Sequence, residues 1–440
     1  MVIYELLVVI IFLWILVIIN SKDLFSPSSI LCLSYILAII CAIYNIDNWR
    51  INLHYNTFWI IIIGIISFLI SSWIYKVCGK LRNKRFITKK LLYIKVKKYK
   101  LLILNFISFV IFFLYTIFFI KAIGGISAFS NLSSAMAIYR SKTLFQNMTL
   151  IPSWINFLTK ICRAIAYIYT YILINNVIIS KHNADKEKQK NKFSYFFGII
   201  VYLPLTLMSG GRYDLIVYIL YLITIFSILY TIENKKRLQP HKILKIGIAL
   251  FLILIAFSSY KGLVGRESES TTLDYITEYF GGSIQILDIY MQEPHYEADY
   301  FGQETFAGIR KLLYQFKILD EQGISEDAME FRTIYNDKVI GNVYTGFRKP
   351  YHDFGIIGVI LLQIVQAFIF NRIYYNCFYK LEKSEISFNI ILSGTLVFCL
   401  ALHSYSEAFY STVLSFNYAI FFIMILIIIK FLTKIELRWK

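Results

Sequence analysis

The stretch SGGRYDLIVYILYL, residues 209–222, begins an apolar run that continues to about residue 232. A helix needs about 20 apolar residues to cross roughly 30 Å of hydrocarbon, and this run is long enough. Similar runs recur along almost the whole chain, except near residues 260–350. Hydrophobic residues make up 58% of the 440 positions and the mean hydropathy is +0.61, far above the values of soluble proteins. The sequence therefore predicts a polytopic membrane protein.

The predicted fold is all-α, with about eleven transmembrane helices (ten to twelve) and one large extracytoplasmic loop that contains short amphipathic helices. The predicted spans lie near residues 2–19, 28–45, 57–75, 101–120, 161–180, 193–208, 213–232, 246–260, 353–371, 386–403 and 410–430. About eight of them make an N-terminal bundle at 1–260, the loop covers 261–352, and about three spans follow at 353–440. The first span lacks a basic flank and a small-residue cleavage site, so we predict that it is retained.

The distribution of Lys and Arg among the connections predicts the orientation in the membrane. The segment at 76–100 carries eleven basic residues and no acidic one, and alternate connections are also the more basic ones. Because basic connections stay in the cytoplasm, the N-terminus is predicted outside and the C-terminus inside. The same anchoring explains most of the net charge of +18, so the charge predicts contact with the lipid bilayer and no nucleic-acid partner.

The connection at 260–350 has the opposite balance, with nine basic and fifteen acidic residues. At about 90 residues it is too long for a simple connector, and long loops of this kind usually carry function. Apolar residues at helical spacing predict one amphipathic helix at 271–292, with a possible break at Gly281 and Gly282, lying on the membrane surface or over the bundle. A second helix is predicted at 305–319, and 326–350 is predicted to be irregular.

Several classes of chemistry lack their motifs. No Gly-rich nucleotide-binding pattern occurs, and the cytoplasmic connections are too short for a nucleotide-binding domain. The six cysteines form no C-x-x-C pair, so neither a disulfide framework nor a metal site is predicted, and no cofactor is expected. Any reaction must therefore use a substrate that is already activated, or a gradient.

Three basic positions are predicted to meet at the outer face. Gly210 and Gly211 leave backbone N–H groups approachable at the start of a helix, and Arg212 adds a guanidinium that can bind an anion with two parallel hydrogen bonds. Arg266 and Arg348 lie at the outer ends of other spans. We interpret the group as a diphosphate site. The alternatives are a snorkelling anchor or an ion pair with Asp214 for the first arginine, and solvated loop charges for the other two.

Candidate general bases lie near the same face. His352 and Asp353 adjoin at the start of a span, and His403 and Glu407 stand four residues apart, which places them on one face if the helix continues. The alternatives are a structural role for either histidine and an N-cap role for Asp353. Glu278 and Asp288 in the outer loop are weaker candidates.

The combination of these features resembles the Wzy-type O-antigen and capsule oligosaccharide repeat unit polymerases. The resemblance rests on MSGGRYDL at 208–215, KGLVGRE at 261–267 and YTGFRKPYHDFGIIGVI at 344–360, which frame one large outer loop among the spans. It implies a nucleotide-independent, inverting membrane glycosyltransferase of the GT-C-like kind in the bacterial cytoplasmic membrane. Both donor and acceptor would be oligosaccharide repeat units linked to undecaprenyl diphosphate, and a separate chain-length regulator protein is an expected partner.

The resemblance also implies roles for the candidate residues. Arg212 and Arg266, with Arg348 as a third candidate, would hold the leaving diphosphate, while His352, or His403 with Glu407, would take the proton from the acceptor hydroxyl. An O-antigen ligase would share this chemistry and differ in its acceptor. A polysaccharide flippase or other transporter would show internal repeats and short loops, and a membrane acyltransferase would leave the arginines unexplained.

Overall fold

In a computed structural model of the 440-residue chain, the described residues are predominantly helical, which confirms the predicted all-α class. It describes residues 1–82, 91–125, 132–140, 142–143, 150–182, 192–208, 213–237, 272–293, 298–319, 329–334, 338–379 and 386–433. The span predicted at 246–260 lies outside the described residues.

The described helices and strands follow one another in the order of the chain. The first nine helices are α1 (Val2–Ser21), α2 (Pro27–Tyr44), α3 (Ile46–Trp49), α4 (Tyr55–Arg82), α5 (Lys98–Ile123), α6 (Leu132–Arg140), α7 (Ser153–His182), α8 (Lys192–Met208) and α9 (Tyr213–Asn234). The remaining elements are α10 (Thr272–Gln292), α11 (Ala307–Gln315), β1 (Arg332–Ile334), β2 (Lys338–Gly341), α12 (Arg348–Tyr379), α13 (Phe388–Leu396), α14 (Phe398–Ala401), a π-helical turn (Phe409–Val413) and α15 (Phe416–Thr433).

Eight helices within the described ranges are long and apolar enough to cross a membrane, and two further apolar helices, Phe193–Met208 and Phe388–Ala401, are shorter. Large apolar side chains such as Val8, Phe12 and Ile19 of α1 are exposed on the protein surface. A contiguous apolar surface of this kind is unfavourable in water but suits contact with lipid. The chain is therefore a multi-pass membrane protein, as predicted.

The chain forms two compact units, each assembled from three separate segments. Unit 1 comprises Met1–Phe86, Ser270–Asn376 and Leu396–Ala419, and unit 2 comprises Ile87–Glu269, Cys377–Thr395 and Ile420–Lys440. Unit 1 contains most of the outer-loop residues that the structure describes, together with α1–α4. The candidate bases also belong to unit 1.

Helix α10 is continuous through Gly281 and Gly282, so the predicted break is wrong. These glycines instead allow close packing, because a Cβ atom on Gly281 would lie 2.6 Å from the backbone nitrogen of Ala42 in α2. Residues 281–288 are buried, and the Asn45 side chain donates a hydrogen bond of 2.8 Å to the Thr277 hydroxyl. Helix α10 therefore packs on α2, in agreement with the predicted location over the bundle.

Gly281→Ala is expected to lower the free energy of unfolding by about 1–3 kcal/mol, because the added methyl group overpacks the contact with the α2 backbone. Gly282→Ala is the matched control, since the nearest atom to its added Cβ is the Ile340 carbonyl oxygen at 3.5 Å, an ordinary contact. The check is the thermal midpoint of each purified variant in detergent. Equal midpoints for the two variants would contradict the close approach of α2 and α10.

The segment predicted to be irregular at 326–350 contains regular structure. Strands β1 and β2 pair antiparallel, with Thr333 opposite Val339, and α12 begins at Arg348. Helix α12 is interrupted at Gly355, where φ is 61° and ψ is −159°, a conformation that residues with a side chain avoid. The residues from Arg348 to Phe354 therefore form a short helical segment of their own direction before the membrane span.

Unit 2 has a core of aromatic and aliphatic side chains from α5–α9. Tyr167 of α7 packs against Tyr221 of α9, with ring centroids 4.2 Å apart. Asp214, in the first turn of α9, lies 3.8 Å from the guanidinium of Arg163 in α7. The structure thus pairs Asp214 with Arg163, a partner that the sequence did not indicate.

Candidate active site

Five of the nine candidate site residues are described, and all five lie in unit 1: Arg348, His352, Asp353, His403 and Glu407. The diphosphate candidates Gly210, Gly211, Arg212 and Arg266 lie outside the described residues. The structure therefore shows the surroundings of the four candidate bases and of Arg348, whereas Arg212 and Arg266 remain predictions from sequence.

Arg348 lies in an aromatic and acidic environment at the start of α12. Its guanidinium forms an ion pair with the Glu304 carboxylate, and it lies 4.5 Å from the ring centre of Tyr290 and 5.2 Å from that of Tyr344. The side chain is only 12% exposed, so the alternative of a solvated loop charge is wrong. Contact with two aromatic faces and a carboxylate stabilises a buried guanidinium.

His352 belongs to the same cluster. Its Nδ1 lies 3.0 Å from the Tyr290 hydroxyl, and its Nε2 lies 3.7 Å from a Glu304 carboxylate oxygen. Burial raises the pKa of the Tyr290 phenol, and the nearby Arg348 guanidinium offsets part of that rise. Tyr290 is therefore a neutral phenol near pH 7 that can donate a hydrogen bond to the imidazole.

Asp353 has a structural partner outside its own helix. Its carboxylate accepts backbone N–H hydrogen bonds from Glu304 at 3.1 Å and from Thr305 at 2.6 Å. The predicted N-cap role is therefore wrong, because the carboxylate accepts hydrogen bonds from amides in the turn just before α11 and not from its own helix. By holding residues 304 and 305, Asp353 also fixes the position of the Glu304 side chain beside Arg348.

His403 and Glu407 do not share a helical face, because α14 ends at Ala401 and residues 402–405 form a turn. His403 is 1% exposed. Its Nδ1 lies 3.0 Å from the Tyr35 hydroxyl and its Nε2 lies 3.1 Å from the Gln363 amide nitrogen. The prediction that His403 and Glu407 lie on one helical face is therefore wrong. Both ring nitrogens of His403 contact protein groups, which agrees with the alternative of a structural role.

Glu407 closes the π-helical turn. Its two carboxylate oxygens accept backbone N–H hydrogen bonds from Tyr410 at 2.7 Å and from Ser411 at 2.8 Å, and the residue is buried. Buried carboxylates that accept backbone amides stabilise turns. With both oxygens engaged in this way, Glu407 is poorly placed to take a proton from a substrate.

Next to this turn lies a pocket of about 190 Å³ with both polar and apolar walls. Its walls come from the residues just before β1, from the segment that follows β2, from the start of α12 and from the turn after α14. They are Met329, Asn342, Val343, Tyr344, Thr345, Lys349, Tyr405, Ser406 and Glu407. The walls therefore combine hydroxyls, an amide, an ammonium, a carboxylate, two aromatic rings and two apolar side chains.

Two tyrosines give the pocket rigid aromatic walls. The Tyr405 ring stacks on the ring of Tyr279 in α10, with centroids 4.8 Å apart. The Tyr344 hydroxyl accepts a hydrogen bond of 2.8 Å from Arg332 Nε, and Arg332 forms an ion pair of 2.6 Å with Glu293. Burial raises the pKa of the Tyr344 phenol, and the hydrogen bond from Arg332 offsets part of that rise.

Sequence reasoning found Arg348 and His352 but missed the residues that surround them. Glu304, Tyr290 and Tyr344 are widely separated along the chain, and nothing in their spacing indicates that they meet. The acidic excess of the outer loop was the available signal, because a buried guanidinium needs a carboxylate partner. Among the described residues, no three His, Cys, Asp or Glu side chains are arranged to hold a metal ion.

Comparison of the chain with known protein families, with curated proteins and with solved structures finds no match.

Proposed function

We propose that the protein is a membrane glycosyltransferase that polymerises undecaprenyl-diphosphate-linked oligosaccharide repeat units at the outer face of a bacterial cytoplasmic membrane. The observation that carries the proposal is the pocket, which lies beside the short helical segment that precedes the membrane span of α12 and beside the turn after α14. Hydroxyls, amides and aromatic rings are the groups that bind sugars through hydrogen bonds and stacking. A substrate that is attached to lipid reaches such a pocket from the bilayer.

The size of the pocket limits what it holds. Pockets for drug-sized ligands measure about 300–1,000 Å³, and this one is smaller, at about 190 Å³. It fits a terminal sugar rather than a whole repeat unit. In this proposal the pocket binds the non-reducing end of the acceptor, and the rest of the oligosaccharide extends into water.

The diphosphate of the donor is assigned to the arginines. In this proposal Arg212 and Arg266 hold it, with the backbone N–H groups of Gly210 and Gly211 as further donors, and Arg348 is a third candidate from the sequence. Guanidiniums stabilise the negative charge that develops on the diphosphate as the anomeric C–O bond breaks. The activated donor supplies the free energy of the reaction, so no nucleotide is required. The proposed orientation has the N-terminus outside and the C-terminus in the cytoplasm.

The experiment that tests the function follows surface polysaccharide in a strain that lacks the gene. Wild-type complementation is expected to restore a ladder of polymer lengths, while the deletion strain keeps single repeat units. Full-length polymer that accumulates on its lipid carrier would instead identify a ligase. An unchanged ladder in the deletion strain would reject both functions.

Filling the pocket is expected to slow polymerisation. Ser406→Phe puts a bulky ring into the cavity, and if overpacking of about 1–3 kcal/mol opposes binding of the acceptor, the rate falls by roughly 5- to 150-fold. Ser406→Ala removes the hydroxyl but leaves the cavity open, so its loss should be far smaller. The measurement is ladder length at equal protein level in the membrane. Equal ladders from both variants would mean that the acceptor does not bind in this pocket.

A further inference from the structure

A turn in the outer loop, residues 300–306, carries a large apolar side chain that the protein does not cover. Phe301 is 80% exposed. The Arg310 guanidinium donates a hydrogen bond of 3.1 Å to the Phe301 carbonyl oxygen and lies over the Tyr300 ring, 5.2 Å from its centre. A single exposed apolar side chain is common on protein surfaces, so the position of this turn in the fold decides its meaning.

The backbone of the turn is fixed by its own contacts. Gly302 has a φ of 64°, and a side chain at that position would overlap the Phe306 ring. The Phe306 N–H donates a hydrogen bond of 2.9 Å to the Gly302 carbonyl oxygen, and the Asp353 carboxylate accepts the backbone N–H groups of residues 304–305. Phe301 is therefore held at a defined place relative to the start of α12.

The turn packs on the residue that precedes the membrane span of α12. The ring centroid of Phe354 lies 4.9 Å from that of Phe301 and 6.0 Å from that of Phe306. Gly308, two residues after the turn, lies against the π-helical turn that precedes α15, because a Cβ atom there would be 2.6 Å from the Ser411 carbonyl oxygen. The turn is therefore beside the ends of two membrane helices.

The level of the turn relative to the bilayer follows from the surface of α12. Exposed apolar side chains begin three residues after Phe354 and continue at helical spacing along one face: Ile357, Leu361, Val365 and Phe368. Such a stripe on a helix long enough to cross a membrane indicates contact with lipid. Three residues span at most about 10 Å, and the headgroup zone on each face of a bilayer is roughly 5–8 Å deep. Phe301 therefore lies close to the level of the headgroups.

We propose that residues 300–306 are an interfacial anchor and that the Phe301 ring inserts among the phospholipid headgroups beside α12. Segments that bind at the membrane surface bury apolar side chains at the boundary between headgroups and acyl chains. Tyr300 is 39% exposed and carries a hydroxyl on an apolar ring, a combination that favours the same zone. Phe301 is not part of the pocket walls, so the anchor is separate from the site assigned to the acceptor.

The anchor is directly connected to the cluster around Arg348. The Asp353 carboxylate holds the backbone N–H groups of Glu304 and Thr305, and the Glu304 carboxylate forms the ion pair with Arg348. A ring fixed among the headgroups therefore keeps this cluster at the membrane surface, where the polar part of a lipid-linked molecule lies.

The test measures which medium surrounds position 301. A nitroxide spin label is attached to Phe301→Cys in the full-length chain, with one chain in each lipid nanodisc and with Cys78→Ser to remove an exposed thiol. Collisions of the label with oxygen, which is enriched in lipid, are compared with collisions with a water-soluble nickel complex. Ile357→Cys is the lipid reference, and Lys236→Cys, at an exposed position just after α9, is the water reference. The Cys78→Ser chain without an added cysteine gives the background.

The ratio of oxygen to nickel collisions at position 301 is expected to exceed that at position 236 several-fold and to approach that at position 357. A ratio equal to that at position 236 would overturn the proposal, since the side chain would then face water. Few collisions with both reagents would also overturn it, because another part of the chain would then cover the label. Neither result depends on the proposed glycosyltransferase function, since no substrate is present.

Discussion

Arg212→Ala is expected to abolish the polymer ladder, a fall in rate of about 10²–10³-fold or more, which is the cost of removing one charge-stabilising donor from a transition state. The residue directly precedes α9, which begins at Tyr213, and the start of a helix carries partial positive charge. A guanidinium there adds a bidentate donor for a diphosphate. The readout is ladder length in the deletion strain at equal membrane level of the protein.

Arg212→Lys should rescue poorly, because an ammonium group cannot reproduce the paired hydrogen bonds of the guanidinium. Arg50→Asn is the control, since it removes an exposed guanidinium from a connection that is predicted on the same face of the membrane. Asparagine also tolerates the left-handed backbone at this position, where φ is 49°. Full activity in Arg212→Ala would leave that residue as an anchor of its helix.

Arg348→Ala is expected to destabilise unit 1 by about 3–5 kcal/mol, because it leaves the mostly buried Glu304 carboxylate without its arginine partner. It also removes the contacts of the guanidinium with the rings of Tyr290 and Tyr344. The measurement is the thermal midpoint in detergent. A midpoint equal to that of wild type would show that the ion pair with Glu304 does not hold this part of the fold together.

The double variant Arg348→Met with Glu304→Gln separates stability from activity. Replacing both members of a buried ion pair by groups of similar size is often neutral or stabilising, so the thermal midpoint should recover most of the loss. The polymer ladder should stay short if Arg348 also acts on the diphosphate. A double variant with a full ladder would limit Arg348 to a structural role.

The sequence was sufficient to predict the membrane fold, because a bilayer requires long apolar runs and these are local features. Helix α10 was predicted nearly to its ends from the spacing of its apolar residues. The supposed break at Gly281 was wrong because local propensity does not reveal that a neighbouring backbone lies against the glycine. The positions of the helices along the chain could be predicted from sequence, whereas the close contacts between helices could not.

The candidate site was predicted less well, for a related reason. His403 was paired with Glu407 on the assumption that a helix continues, but its actual contacts are with Tyr35 and Gln363, far away in sequence. His54 lies 234 positions before Asp288, yet its Nδ1 is 2.9 Å from the Asp288 carboxylate, and the sequence offered no reason to connect the two. Such long-range contacts decide whether a titratable side chain is exposed or already hydrogen bonded within the protein.

Gln363 and Gln366 lie near the middle of α12 and hydrogen bond to each other at 3.1 Å, each 1% exposed. During translation this span is made before the segment that carries His403, whose ring nitrogen lies 3.1 Å from the Gln363 amide. If α12 enters lipid before His403 is made, the Gln363 amide lacks that contact, and this costs free energy because hydrocarbon offers no hydrogen bonds. We therefore expect α12 to be more stably integrated in a chain that includes residue 403 than in a nascent chain cut before it.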